Sequence, residues 1–154
     1  MNIYSLKKED EMQNDDDFVA EGQHPLIPEG TYQVHCIGIG ENIYRGSYKL
    51  YVSFEILDEG QYNGTELFMA MNLSDSKTKK RFKKVPRGSK YYEQWVIANY
   101  NTHPPRTDKM SPGIFNKGYF DAVVRTIKPK FDDGTEKPAS FHYSVVDYLK
   151  RRGG

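Results

Sequence analysis

The chain has 154 residues, 37% hydrophobic and 28% charged, enough for one domain with its own core. Its single cysteine, Cys36, excludes an internal disulfide and suits a reducing compartment. No apolar run approaches the roughly 18 residues of a membrane span, and MNIYSLKKEDEMQNDDD has no apolar signal core, so a cytoplasmic protein is expected.

The net charge of +1 conceals a split. Residues 1–24 carry seven acids (Glu9, Asp10, Glu11, Asp15, Asp16, Asp17, Glu21) against Lys7 and Lys8, a net of −5. With little periodicity and high polarity, they read as a disordered acidic arm on a basic body spanning 25–154. His24-Pro25-Leu26-Ile27-Pro28-Glu29-Gly30 then leads into a first strand from Thr31, where Tyr32, Val34 and Cys36 alternate with Gln33 and His35. Gly38 to Gly46 interrupts that alternation.

The second strand is the clearest, with Tyr48, Leu50, Val52, Phe54 and Ile56 alternating with Lys49, Tyr51, Ser53 and Glu55. DEGQYNG turns the chain into a third strand, Thr65–Leu73, with Leu67, Met69, Met71 and Leu73 on one face. Residues 76–92, SKTKKRFKKVPRGSKYY, follow with eight Lys/Arg and no acid. The period then becomes helical: Tyr92, Trp95, Val96 and Asn99 share a face, Ser89 is a candidate N-cap, and HPPR (103–106) is the expected stop. A fourth strand is predicted over Tyr119–Ile127, an Asp-Gly turn within 128–138, and a fifth strand over Ala139–Val146.

The order β-β-β-α-β-β predicts a mainly β fold: a five-stranded, OB-fold-like Greek-key barrel with one helix between strands 3 and 4. Another α+β arrangement has the same element order. Four scattered histidines and one cysteine offer no metal-ligand spacing. Cys36 reads as a small core residue, Gly38-Ile39-Gly40 fails the dinucleotide fingerprint at Ile43, and Gly88-Ser89-Lys90 is not a phosphate loop. No catalytic set assembles, so no enzyme activity, metal or cofactor is expected.

What remains is charge plus rings, in a chain that is 14% aromatic. In a barrel of this type the second and third strands carry the nucleic-acid face, and the loops 1–2 and 4–5 flank it. That places Lys49, Tyr51 and Phe68 on the face, with Tyr44 and Arg45 in one flanking loop and Lys128, Lys130 and Phe131 in the other. Lys77, Lys79, Lys80, Arg81, Phe82, Lys83, Lys84, Arg87 and Lys90 complete the candidate set as a flexible basic clamp. The bland alternative is a solvated loop that serves only solubility. Rings on the strands tip the balance, because base stacking requires outward aromatics.

EGTYQVHCIGIG, YKLYVSFEILDEGQYNGTELF and NKGYFDAVVRTI together resemble small OB-fold single-stranded-DNA-binding proteins of phages and mobile elements. The resemblance spans most of residues 29–127 and lies in pattern and spacing. It implies binding of exposed single strands in replication or recombination, without base-sequence preference, alongside replication or recombination proteins. Bacterial single-strand-binding proteins usually end in an acidic tip with a terminal Phe that recruits partners. This sequence ends in basic DYLKRRGG, and its Asp15–Phe18 motif lacks the free carboxylate, so that route is not carried over. No residue distinguishes a 2′-hydroxyl contact, so RNA stays in the ligand class, and edge pairing into a homo-oligomer stays open. The rival expectation is a protein-interaction or inhibitor module of a mobile element. No membrane partner is expected.

Overall fold

Alternating polarity dictates the sheet. In a strand every second side chain shares a face, and one face here is continuously apolar. β2 (Ser47–Ile56) buries Leu50, Val52, Phe54 and Ile56, and β3 (Glu66–Asn72) buries Leu67, Met69 and Met71. β4 (Tyr119–Ile127) adds Phe120, Ala122 and Val124. With β1 (Gly30–Tyr44) and β5 (Tyr143–Arg151) they form one antiparallel sheet in the order β3-β2-β1-β4-β5. One α-helix, α1 (Lys90–Ala98), lies between β3 and β4 in the chain. The computed structural model describes residues 24–116 and 118–152. The acidic arm expected over 1–24 therefore lies outside the described residues apart from His24, as do Lys117 and the last two residues.

The mainly β architecture matches the expectation, but the sheet is not closed. Among the described residues no ladder joins β3 to β5, although the two strands come close together. The edge amides of β5 are taken by other groups. Pro25 O accepts the Ser144 N–H at 2.8 Å, and the buried Gln94 Oε1 of α1 accepts the Leu149 N–H at 2.7 Å. These satisfy donors that a ladder would otherwise have used.

Two strands differ from their predicted spans by more than one residue at an end. β1 does not stop at Gly38; it runs 15 residues, pairing with β4 through Gly30–His35 and with β2 through Val34–Tyr44. A bulge at Ile37, between Cys36 and Gly38, bends the strand so that it can serve both partners. β5 begins at Tyr143 instead of Ala139, because Ala139–Phe141 forms a 3-10 turn after Pro138. It continues through the basic Lys150 and Arg151. A second bulge leaves Asp147 without an opposite residue, which breaks the alternation that would have revealed the strand.

The helix starts at its predicted cap, with Tyr92 N–H donating to Ser89 Oγ at 3.2 Å. It ends earlier than HPPR, because Tyr100 (φ 56°) and Asn101 (φ 61°) turn left-handed just past Asn99. Its buried face is Tyr91, Tyr92, Gln94, Trp95 and Ala98; Val96 and Asn99 lie outside it. Tyr91 Oη donates to Met110 O at 2.6 Å and Trp95 Nε1 to Ser111 O at 3.0 Å, tying the 99–118 segment down. That segment ends at Gly118, where an added Cβ would stand 2.6 Å from the Phe120 ring. None of the helices among the described residues is long and apolar enough to cross a membrane.

Candidate nucleic-acid interface

The outward face of β2 and β3 grades from cationic through aromatic to acidic. Lys49 stands opposite Asn72, and its Nζ donates to Asn72 Oδ1 at 2.9 Å. At the far end Glu55 stands opposite Glu66, a like-charge pair that repels phosphate. Between them Tyr51 faces the small Ala70, which leaves room for Phe68 on the diagonal, with ring centroids 5.9 Å apart. Both rings are half-buried in place of the full exposure of a solvated residue.

Two further rings join them. Tyr143, the first residue of β5, and Phe68 both pack against His24, at centroid distances of 4.9 and 5.1 Å. Burial raises the Tyr51 and Tyr143 phenols above their ordinary pKa, so both remain neutral hydroxyls across the physiological range. The neighbouring Tyr44 phenol adds to both shifts. Tyr44, Tyr51, Phe68, Tyr143 and His24 thus form one patch drawn from β1, β2, β3, β5 and the segment preceding β1.

Hairpins flank the patch. Ser47 pairs with Tyr44, so Arg45-Gly46 is a two-residue turn with φ of 52° and 80°. Positive φ at both central positions defines a type I′ turn, for which Asn-Gly is the usual choice. Arg45 keeps its guanidinium 5.3 Å from the Tyr44 ring centroid, a cation and a ring presented together. Arg45→Asn is expected to stabilise the fold by about 0.5–1 kcal/mol in thermal melts. It should also lower the salt slope of oligonucleotide binding by about 0.7, the share of one phosphate contact.

On the other flank, residues 128–138 form a second small hairpin. Lys130 bridges to Glu136, and Asp133 Oδ1 accepts from Thr135 N at 2.9 Å to close the predicted Asp-Gly turn. Phe131 and Phe141 are exposed on either side of Lys137, whose Nζ lies 5.6 and 5.4 Å from their ring centroids. Lys128 and Lys130 are exposed beside them.

The basic run is a folded element and not a loose clamp. Asp75 Oδ1 accepts the N–H groups of Lys77 (2.8 Å) and Thr78 (3.0 Å), while Asp75 N donates to Lys80 O and Phe82 N to Leu73 O. The amides of Thr78 and Lys77 hold the Asp75 carboxyl below its usual range. A third hairpin results, against the Arg45 turn: Lys79 Nζ reaches Ser47 Oγ at 3.4 Å, and Arg81 pairs with Glu41 at 2.7 Å. The run is thereby divided. Lys77, Lys79 and Lys80 stay exposed by the turn, with Lys79 at a positive φ of 63°. Arg81 is neutralised, Phe82 lines a cleft beside Tyr91 and Met110, and Lys83 lines the same cleft. Lys84 is exposed, Arg87 lies 5.8 Å from the Tyr92 ring centroid, and Lys90 opens the helix half-buried, its pKa lowered by burial.

The structure thus brings together Tyr44, Arg45, Lys49, Tyr51, Phe68, Lys77, Lys79 and Lys80. Phe82, Lys83, Arg87 and Lys90 belong to the helix side. Sequence reasoning missed His24, Lys137, Phe141 and Tyr143. Comparison of the chain with models of known protein families and with curated proteins finds no significant match to either.

Proposed function

We propose that the chain is a non-catalytic nucleic-acid-binding module, built on a partly open OB-type barrel whose seam lies between β3 and β5. Its ligand is single-stranded DNA, bound without base-sequence preference during replication or recombination of a phage or mobile element. The observation that carries this is the contiguous ring patch of Tyr51, Phe68 and Tyr143, set between hairpins that each present a cation with a ring. Rings stack on the face of any base, and a face buried inside a duplex is not available to them, which favours single strands. Support for the barrel comes from the bent β1 shared by β2 and β4, and from the approach of the two edge strands.

Titration with labelled oligo(dT) at two salt concentrations tests the proposal. If about four phosphates are neutralised, affinity falls about fiftyfold between about 50 and 200 mM salt. Oligo(rU) in parallel ranks RNA against DNA. No binding to either at low salt, with the fold intact, would assign the ring patch to a protein partner instead.

A further inference from the structure

The basic stretch DYLKRR, residues 147–152, has no part in the face described above. β5 carries it to the end of the sheet away from the Arg45 turn. There Arg151 stands opposite Phe120, and His35 lies between Tyr119 on β4 and Glu55 on β2. Lys150 and Arg152 are exposed, and Arg151 is half-buried. Each arginine lies over an exposed ring. Arg151 Cζ is 4.0 Å from the ring centroid of Tyr100, which is 73% exposed, and 5.3 Å from that of the buried Phe120. Arg152 Cζ is 5.9 Å from the centroid of Tyr119, which is 51% exposed and stacks on His35 at 5.5 Å. Arg152 also donates to the amide oxygen of Gln33, which carries no charge. Asp121 stands opposite Lys150 in the ladder, but among the described residues no ion pair neutralises Lys150, Arg151 or Arg152.

A guanidinium on an exposed tyrosine is the pairing that Arg45 and Tyr44 present at the other end of the sheet. It offers charge to a phosphate and a flat surface to a base, and an unpaired strand carries both side by side. An acidic protein segment would match the charges but leave the rings without flat partners. We propose that this end of the sheet is a second surface for single-stranded nucleic acid, holding a segment separate from the one on the Tyr51 patch. The proposal rests on the nucleic-acid-binding role argued above. Separation follows from charge: Glu55, paired with His35 at 3.0 Å, stands between Tyr51 and Tyr119, with Glu66 beside it, and both repel phosphate. One chain thereby gathers two segments of single strand.

The test counts labelled oligo(dT) of about six nucleotides on the full chain at about 50 mM salt. Two oligonucleotides per chain are expected at saturation, bound in two steps. Tyr100→Asn removes a ring at a positive φ that Asn tolerates. It should weaken one step about fivefold or more and leave the other within about twofold. Lys150→Gln combined with Arg152→Gln, both at exposed side chains, should lower the salt slope of that same step by about 1.4, the share of two phosphates. Tyr51→Ala should weaken the other step. Melting curves establish that each variant is folded. Saturation of the native chain at one oligonucleotide would overturn the second surface while leaving the ring patch standing. So would a second step that neither Tyr100→Asn nor the charge variant alters. An oligo(Glu) peptide that binds where oligo(dT) does not, and is lost in the same variants, would give the surface to an acidic protein segment instead. Failure of the native chain to bind any oligonucleotide would remove the binding role and the second surface with it.

Discussion

Tyr51→Ala and Phe68→Ala are each expected to weaken oligo(dT) binding by about 1–3 kcal/mol, which is about 5- to 150-fold in Kd. The two rings touch, so the double variant should fall short of the sum of the single losses. Neither change should alter the salt slope by a full phosphate, since neither residue carries charge. Stability should change little, because both side chains lie on the outer face of the sheet and are only half-buried. Fluorescence anisotropy at one low salt, with a melting curve for each variant, measures both quantities. Affinities within about twofold of the native chain would remove these rings from any nucleic-acid role.

The largest effect on stability is expected at Phe120. Its ring is wholly buried, packs edge-on to Phe54 at 6.3 Å, and fills the space that a side chain at position 118 would need. Phe120→Ala should cost about 3–5 kcal/mol, combining lost transfer energy with the cavity left behind. At about 2–4 °C per kcal/mol for a chain of this size, the midpoint should drop by about 6–20 °C. Below that midpoint oligo(dT) affinity should be retained, since Phe120 faces the opposite side of the sheet from Tyr51. Calorimetry decides the first point and titration well below the transition decides the second. A loss under about 1 kcal/mol would mean that the core collapses around the missing ring.

Local pattern carried the strands where pattern is undisturbed. Leu50 to Ile56 and Leu67 to Met71 announce their buried face by strict alternation, and the structure agrees residue by residue. Ser89 and Asp133-Gly134 were legible for the same reason, because a cap and a turn depend on neighbours a few residues away. Bulges defeated the reading at Ile37 and Asp147, since one extra residue inverts the alternation on which a strand is recognised. The order of the basic run was not legible from its own composition: Asp75, just ahead of it, carries the turn-forming carboxylate that folds it.

Tyr51 and Phe68 were within reach of the sequence because they occupy the outward positions of two clear strands. His24 and Tyr143 were not, because nothing in either neighbourhood encodes a contact between residues so distant in the chain. Lys137 and Phe141 could have been found, as they extend the mixture of cations and rings already evident from Lys128 to Phe131.

The unladdered approach of the edge strands β3 and β5 has a mechanical consequence. A sheet closed by an amide ladder has a fixed girth, because widening it breaks many backbone bonds at once. Here the His24 ring touches both edges, while single hydrogen bonds tie β5 to Pro25, Ile27 and the helix residue Gln94. Each of these can let go singly. The gap between the two edges can therefore widen one contact at a time, along the line on which the aromatic patch is assembled.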